Sequence, residues 1–296
     1  MKYLRTGLLA AAGLTAAFSG VLMHIVTKPR RMSMEQSLAR EKERDCYGDY
    51  DDYDREPLEI VMEDGYLVHG VLLKRPGNKY VIITHGYTDT RLGSLKYAHI
   101  YYRKGYNVCI YDLRHHGENA DAFCSMGNRE SRDIVTIAKY FKDRFGADIV
   151  LGLHGESLGA ASSILALGQY SGFDFCVSDC GFADLGKLLE YLCAVRIHLP
   201  GKLSHLASLA SHVRYRYRLD KIRPVDVFSG EIRTPVLFLH GEADVFIPPE
   251  HGRMMYAAAG EKKELVLFAG AGHAQSYLSD RERYERVVGE FLEKYV

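Results

Sequence analysis

The sequence has no charge of one sign to spare: 38 lysines and arginines face 38 aspartates and glutamates. A general nucleic-acid binder would carry a basic surplus, so that class is set aside. No P-loop, dinucleotide fingerprint or zinc-finger spacing occurs, and neither an organic cofactor nor a metal is implied. Cysteine is sparse. Of the six, Cys46, Cys109, Cys124, Cys176, Cys180 and Cys193, two (Cys109 and Cys176) sit inside apolar strand-like runs. No disulfide framework is legible, and the set reads as small buried hydrophobes. Cys176 and Cys180 lack partners for a metal site. With 296 residues, 47% of them hydrophobic, the chain can build one large core without staples.

Formal charge is also missing from one long stretch. Gly7 to Val26 is uncharged, with Lys2 and Arg5 before it and Lys28, Arg30 and Arg31 after it. A helix of that length spans about 30 Å, the hydrocarbon thickness of a bilayer. We read residues 1–28 as a single-pass N-terminal membrane anchor that stays in the mature protein. A secretory signal peptide is the rival, because it too begins with a basic segment. Here the apolar run continues past Ala16, Ala17 and Ser19 into Val21-Leu22-Met23, and no small-x-small site closes it. The side of the membrane stays open. Basic residues are more numerous downstream, while a short basic N-terminus favours insertion with that end inside. Residues 29–56 read as a charged linker with a short helix from Ser33 to Arg44. Asp49, Asp51, Asp52 and Asp54 lack EF-hand spacing and read as solvated.

From Leu58 the pattern becomes that of a globular domain, residues 57–296. Leu58–Met62 and Tyr66–Leu73 flank Asp64-Gly65, a hairpin signature. Short apolar runs follow at Tyr80–Thr84, Asn107–Leu113, Ile149–His154, Phe175–Asp179, Val236–His240 and Leu265–Phe268. Helix-like stretches separate them, including Ile134, Ile137, Ala138 and Phe141 on one face, and a closing Val287, Val288, Phe291, Leu292. Strands that are continuously apolar and alternate with helices predict an α/β fold, with a mostly parallel sheet covered on both faces. Ligands in such folds bind beyond the carboxyl ends of the strands. His85, Asp112, Ser157, Asp179, Asp244 and His273 all follow a strand. Residues 184–230 break the alternation and read as a helical cap over those ends.

One strand-to-helix junction organises the rest. Gly155-Glu156-Ser157-Leu158-Gly159 joins the Ile149 strand to an Ala-rich apolar run, as a nucleophile elbow requires. With it stand His85-Gly86-Tyr87, the run from Tyr111 to Gly117, His240-Gly241-Glu242-Ala243-Asp244 and Gly270-Ala271-Gly272-His273. Taken together, residues 57–296 resemble the α/β-hydrolase superfamily, and the order Ser157, Asp244, His273 is that family's order. The family usually has glycine where His115 stands. The resemblance implies Ser157 as nucleophile, His273 as general base and acid, and Asp244 as the residue that orients the imidazole. It implies an oxyanion hole from the backbone amides of Leu158 and Tyr87, the latter with its side chain a candidate substrate contact. Asp179 is the alternative acid. His85, Asp112 and His116 read as loop braces, and Glu156 has no assigned chemistry.

The expected activity is serine-dependent hydrolysis of an ester, thioester or amide on a small or lipid-like acyl substrate, with carboxylesterase or lipase first. A serine peptidase on the same fold and a membrane-tethered binding protein without turnover are the rivals. His198, His205 and His212 recur every seven residues. On a helix they would lie about 10.5 Å apart along the axis, too far to share one ion. Between Arg196 and Arg223 seven lysines or arginines face one acid, Asp220. Arg214, Arg216 and Arg218 alternate with tyrosines there. That stretch reads as a solvated face, with anionic head groups as the functional alternative.

Overall fold

Each short strand-like run picked out between Leu58 and Phe268 falls on a strand of the computed structural model, which describes the chain from residue 2 and its side chains from residue 13. The strands are β1 (Arg55–Val61), β2 (Leu67–Leu73), β3 (Lys79–Thr84), β4 (Asn107–Tyr111), β5 (Val150–Glu156), β6 (Phe175–Asp179), β7 (Val236–Gly241) and β8 (Lys263–Phe268). They form one sheet in the order β1-β2-β4-β3-β5-β6-β7-β8. β1 and β2 are antiparallel to their neighbours, and every later pair is parallel. Burial explains the difference. β4, β6 and β7 are buried at every residue, whereas β1 alternates and sits at the edge.

Helices α4 (Glu130–Phe145), α5 (Leu158–Leu167) and α8 (Glu250–Ala258) cover one face, packing Ile137, Phe141, Ile164 and Met255 on it. Helices α3 (Leu95–Arg103) and α10 (Arg281–Tyr295) cover the other with Leu95, Tyr101, Tyr284 and Phe291. A single turn, α9 (Ser276–Ser279), precedes α10. Between β6 and β7 the cap contributes α6 (Leu185–Arg196) and α7 (Ser204–Tyr215).

Both N-terminal segments pack against the domain. Residues 29–56 do not stand off as a linker. Their helix, α2 (Met34–Glu43), has the capping box its sequence promises, Ser33 with Gln36. It is docked on the domain: Ser37 accepts from the Thr90 hydroxyl at 2.8 Å, and Arg40 pairs with Asp89. Cys46 and Tyr50 are buried in the core, and Tyr53 stacks on Tyr102 at 3.8 Å. Charge and tyrosine content that reads as solvated here finds partners on α3 and its approach.

The first helix, α1 (Lys2–Thr27), exists, but its second half lies along the cap. Leu22 and Thr27 are buried, and α1 packs on α7. Among the described residues no helix is long and apolar enough to cross a membrane. The part of the Gly7–Val26 run up to residue 12 lies outside the described side chains.

Buried imidazoles make the fold acid-sensitive. His154 lies between the Tyr101 and Tyr284 hydroxyls at 3.0 and 3.2 Å. Burial, helped by the Lys96 charge, pushes it down to about 3. Burial likewise takes His116 to about 3 and His251 to about 4. The unfolded chain therefore binds protons that the folded chain refuses. This stability is complete above about pH 6.5 and is lost as pH falls toward the folded values. Asp179 opposes the trend between about pH 4 and 6, because burial raises it to about 6. Asp133 opposes it as well, because burial takes it to about 7, and three sites against two leave a loss of roughly 1 kcal/mol per pH unit below pH 6. Urea midpoints at pH 7, 6 and 5 check this: the midpoint should fall from 6 to 5, and a rise would contradict it.

Candidate active site

β5 ends at Glu156, and α5 starts at Leu158. The turn between them leaves one residue, Ser157, at φ 55° and ψ −112°. That region is strained for any L-residue and recurs where a side chain must be presented. The flanking glycines are sterically required. A Cβ on Gly159 would lie 2.0 Å from the Thr84 carbonyl oxygen, and one on Gly155 would lie 2.3 Å from the Gly159 carbonyl oxygen. The Ser157 amide donates to the Asp179 carbonyl at 2.8 Å, which pins the turn to β6.

His273 follows β8 and reaches back so that Nε2 is 2.9 Å from Ser157 Oγ. Its Nδ1 is 2.7 Å from Asp244 Oδ2, on the loop after β7. The other carboxylate oxygen accepts the amides of Phe246 and Ile247 at 2.8 and 2.9 Å. Burial works against the Asp244 charge, but hydrogen bonds from His240 and His273 outweigh it and hold the carboxyl well below the usual range. An ionised Asp244 fixes the tautomer: Nδ1 carries the proton, and Nε2 is left as an acceptor toward Ser157. Asp179, the alternative acid, does not meet this histidine. Its oxygens serve the hydroxyls of Tyr97, Tyr284 and Ser276.

Tyr87 and Leu158, the two residues named for an oxyanion hole, line the same cavity as Ser157. Leu158 is the first residue of α5, where helix amides lack intrahelical partners and the dipole is positive. Gly86 backs onto the elbow: a Cβ there would be 3.5 Å from Ser157 Cβ. Tyr87 follows Gly86 directly in the chain. The loop is braced from below. His85 accepts the Leu113 amide at 2.9 Å, and His116 accepts the Thr88 amide at 3.2 Å. Asp112 holds the Arg91 and Glu118 amides, so the three polar residues do fasten loops. His115 takes the left-handed conformation, φ 67°, in which a glycine is at ease, and its ring reaches Pro29 O at 3.2 Å.

Several features are not legible in the chain. The Tyr87 hydroxyl is shared between the carbonyls of Ile25 and Val26 at 2.9 and 3.0 Å. Its polar end thus ties the oxyanion loop to α1. Beneath the elbow, buried Lys96 pairs with Glu156, which also accepts from Tyr97. Cys180 places its sulfur among the Asp244 and His273 ligand atoms, all within 4.8 Å of one another. Burial raises that thiol well above its usual range, so it sits there as a neutral neighbour. The three cap histidines do not converge, and His205 pairs with Glu190 at 2.7 Å instead.

A cavity of about 310 Å³ opens beside Ser157. Leu22, Ile25 and Val26 of α1, Leu188, Leu189 and Leu192 of α6, and Phe182 and Phe246 line it, and among the described residues its one charged lining residue is Arg196. Nothing in the sequence signals that α1 forms one wall.

The prolyl oligopeptidase family profile matches residues 94–296, a span that holds Ser157, Asp244 and His273. The chain belongs to this family. The sheet, the cap position and the order of the site residues place the family member in the α/β-hydrolase superfamily. It is 29% identical over 299 residues to the uncharacterized protein YqkD of Bacillus subtilis, covering 99% of this chain and 98% of that one. Among solved structures, the Pyrococcus furiosus esterase Pf2001 superposes with a TM-score of 0.72 at 22% identity, over 91% of this chain and 98% of that one. The Pyrococcus horikoshii acylaminoacyl peptidase superposes with a TM-score of 0.63 at 16% identity, over 82% of this chain and 42% of that one. At these identities the structural likeness speaks for the fold; the chemistry rests on the site.

Proposed function

We propose that this hydrolase cleaves carboxylic esters of apolar acyl groups through an acyl-enzyme on Ser157. One observation carries the reading: Ser157, whose Oγ begins the unbroken chain to His273 and Asp244, lines an apolar cavity. Ser157 Oγ attacks the ester carbonyl carbon while His273 Nε2 takes its proton. The oxyanion forms against the Leu158 and Tyr87 amides. The C–O bond to the alcohol then breaks, and His273 returns the proton to the leaving oxygen. Water, deprotonated by the same imidazole, attacks the acyl carbon and frees the acid and Ser157. Asp244 stays ionised throughout and stabilises the imidazolium.

The lining supports an acyl chain over a peptide. A peptidase that reads a free amino terminus needs an acidic partner for it, and among the described residues the charge lining this cavity is the cation of Arg196. A p-nitrophenyl ester series of graded acyl length, with thioester and aminoacyl-amide controls, tests the choice. Each methylene buried on the wall contributes about 0.8 kcal/mol, roughly fourfold in kcat/KM. The series should therefore climb and then level off once the chain outgrows the cavity. Aminoacyl amides turned over faster than every ester would favour the peptidase.

A further inference from the structure

The molecule's exposed apolar side chains are concentrated on one region. Among the described residues, nine of the twelve large hydrophobic side chains left open to solvent belong to α1, α6 and the residue that caps it, α7 or the loop after β7. On α1 they are Leu14, Phe18, Val21 and Ile25, spaced four, three and four apart, so they form a single outward stripe. Leu209 and Val213, four apart, form the matching stripe on α7, which packs beside α1. The stripe runs into the site, because Ile25 is both exposed and part of the cavity wall, as is Ile197 at the end of α6.

Along α1 and α7 the formal charge has one sign, and the acid of the adjoining α6, Glu190, is paired with His205. No acid occurs from residue 13 to 31 or from 196 to 219. Arg196, Lys202, Arg214 and Arg216 border the region, and none has an ion-pair partner among the described residues. Arg218 differs, because it is bound to Asp220 at 2.7 Å and is not available. An apolar face rimmed by uncommitted cations complements a surface that is apolar inside and anionic at its edge. It matches a second copy of itself poorly, because the cations would meet each other.

We propose that the α1–α7 face docks on an anionic lipid bilayer, with α1 lying along the surface, and that the acyl cavity opens onto that membrane. The acyl chain then passes from the lipid phase past Ile25 and Ile197 to Ser157 without crossing water. This rests on the acyl-ester reading above and adds the source of the substrate. α1 lies on the membrane in this arrangement through the same stripe that flanks the cavity mouth, so docking and substrate entry share one wall.

The test is flotation of the full chain with vesicles of 30% phosphatidylglycerol in phosphatidylcholine, and with phosphatidylcholine alone. Wild type should float with the anionic vesicles, less so in 0.5 M salt. The double variant Leu209→Asp/Val213→Asp, and separately Arg214→Gln/Arg216→Gln, should each lower the partition coefficient about tenfold or more. None of these four residues lines the cavity, so kcat/KM on a soluble short-chain ester should stay within about twofold, while hydrolysis of a long-chain ester held in the vesicles falls with binding. Unchanged flotation of both variants would overturn the proposal, even if the anchor-like N-terminus kept the protein membrane-bound. A dimer by light scattering that the Asp variant dissociates, with no vesicle binding, would overturn it in favour of self-association. Loss of soluble-ester turnover in wild type would instead count against the hydrolase reading, independently of flotation.

Discussion

Replacing Ser157 by alanine is expected to lower kcat on a soluble ester by about 10⁴-fold or more while leaving the protein folded. The substitution removes one oxygen from a buried turn and keeps the Cβ, so the elbow's strained backbone meets no new clash. What disappears is the atom that forms the covalent bond. His273→Ala should cost about as much, because without Nε2 at 2.9 Å the hydroxyl keeps its proton and is a poor nucleophile. The double variant should be scarcely worse than either single one, since the two groups act as a unit. Asp244→Asn should cost no more than either: it keeps the shape but supplies a donor where His273 Nδ1 needs an acceptor. Circular dichroism and urea midpoints confirm folding. A folded Ser157→Ala protein with near wild-type turnover would move the search to another nucleophile or to an activated water.

The largest loss of stability is expected from Lys96→Met. Lys96 is 3% exposed, and its ammonium meets the Glu156 carboxylate in the core, with Asp89 and Glu41 close enough to act on it. Burial alone would push this lysine down; the Glu156 charge more than offsets that, so the cation persists. Removing it leaves Glu156 and, bridged by the Tyr97 hydroxyl, Asp179 as buried carboxyls without their cation. Breaking a buried pair from one side costs about 3–5 kcal/mol, a large part of the stability of most domains. Adding Glu156→Gln should restore much of it, because the uncompensated charge is gone. Chemical denaturation of the single and double variants measures both. A single-variant loss under about 1 kcal/mol would contradict the account, as would a double variant worse than the single.

These two sites differ in how far the chain announces them. The elbow is readable because its chemistry is local: two glycines, a serine, a preceding apolar strand and a following helix are contiguous. Asp244 and His273 are readable because each lies just past a strand, and strand ends are where a parallel sheet gathers its polar groups. Lys96 is not readable. In the run Leu95 to Arg103 it looks like an ordinary surface lysine on an amphipathic helix, and only the docking of α3 beneath Glu156 buries it. The choice between Asp244 and Asp179 likewise needs the loop after β8, which delivers His273 to one carboxylate and leaves the other to tyrosines. At the N-terminus, hydrophobicity without periodic polar breaks reads as a span. In the structure Leu22 and Val26 line a cavity, Leu14, Phe18 and Val21 face outward, and Ile25 does both. Sequence spacing cannot tell a lipid-facing wall from a protein-facing one when both are apolar.

The central claim is the covalent intermediate, and intact-mass spectrometry after a fluorophosphonate, followed by peptide mapping, tests it most directly. The account predicts one adduct per chain, on Ser157, formed in wild type, slowed by about 10³-fold or more in His273→Ala and absent in Ser157→Ala. Prior incubation with a slowly released long-chain ester should protect the same serine. Folded protein that hydrolyses esters yet takes its adduct on another residue, or takes none, would contradict it.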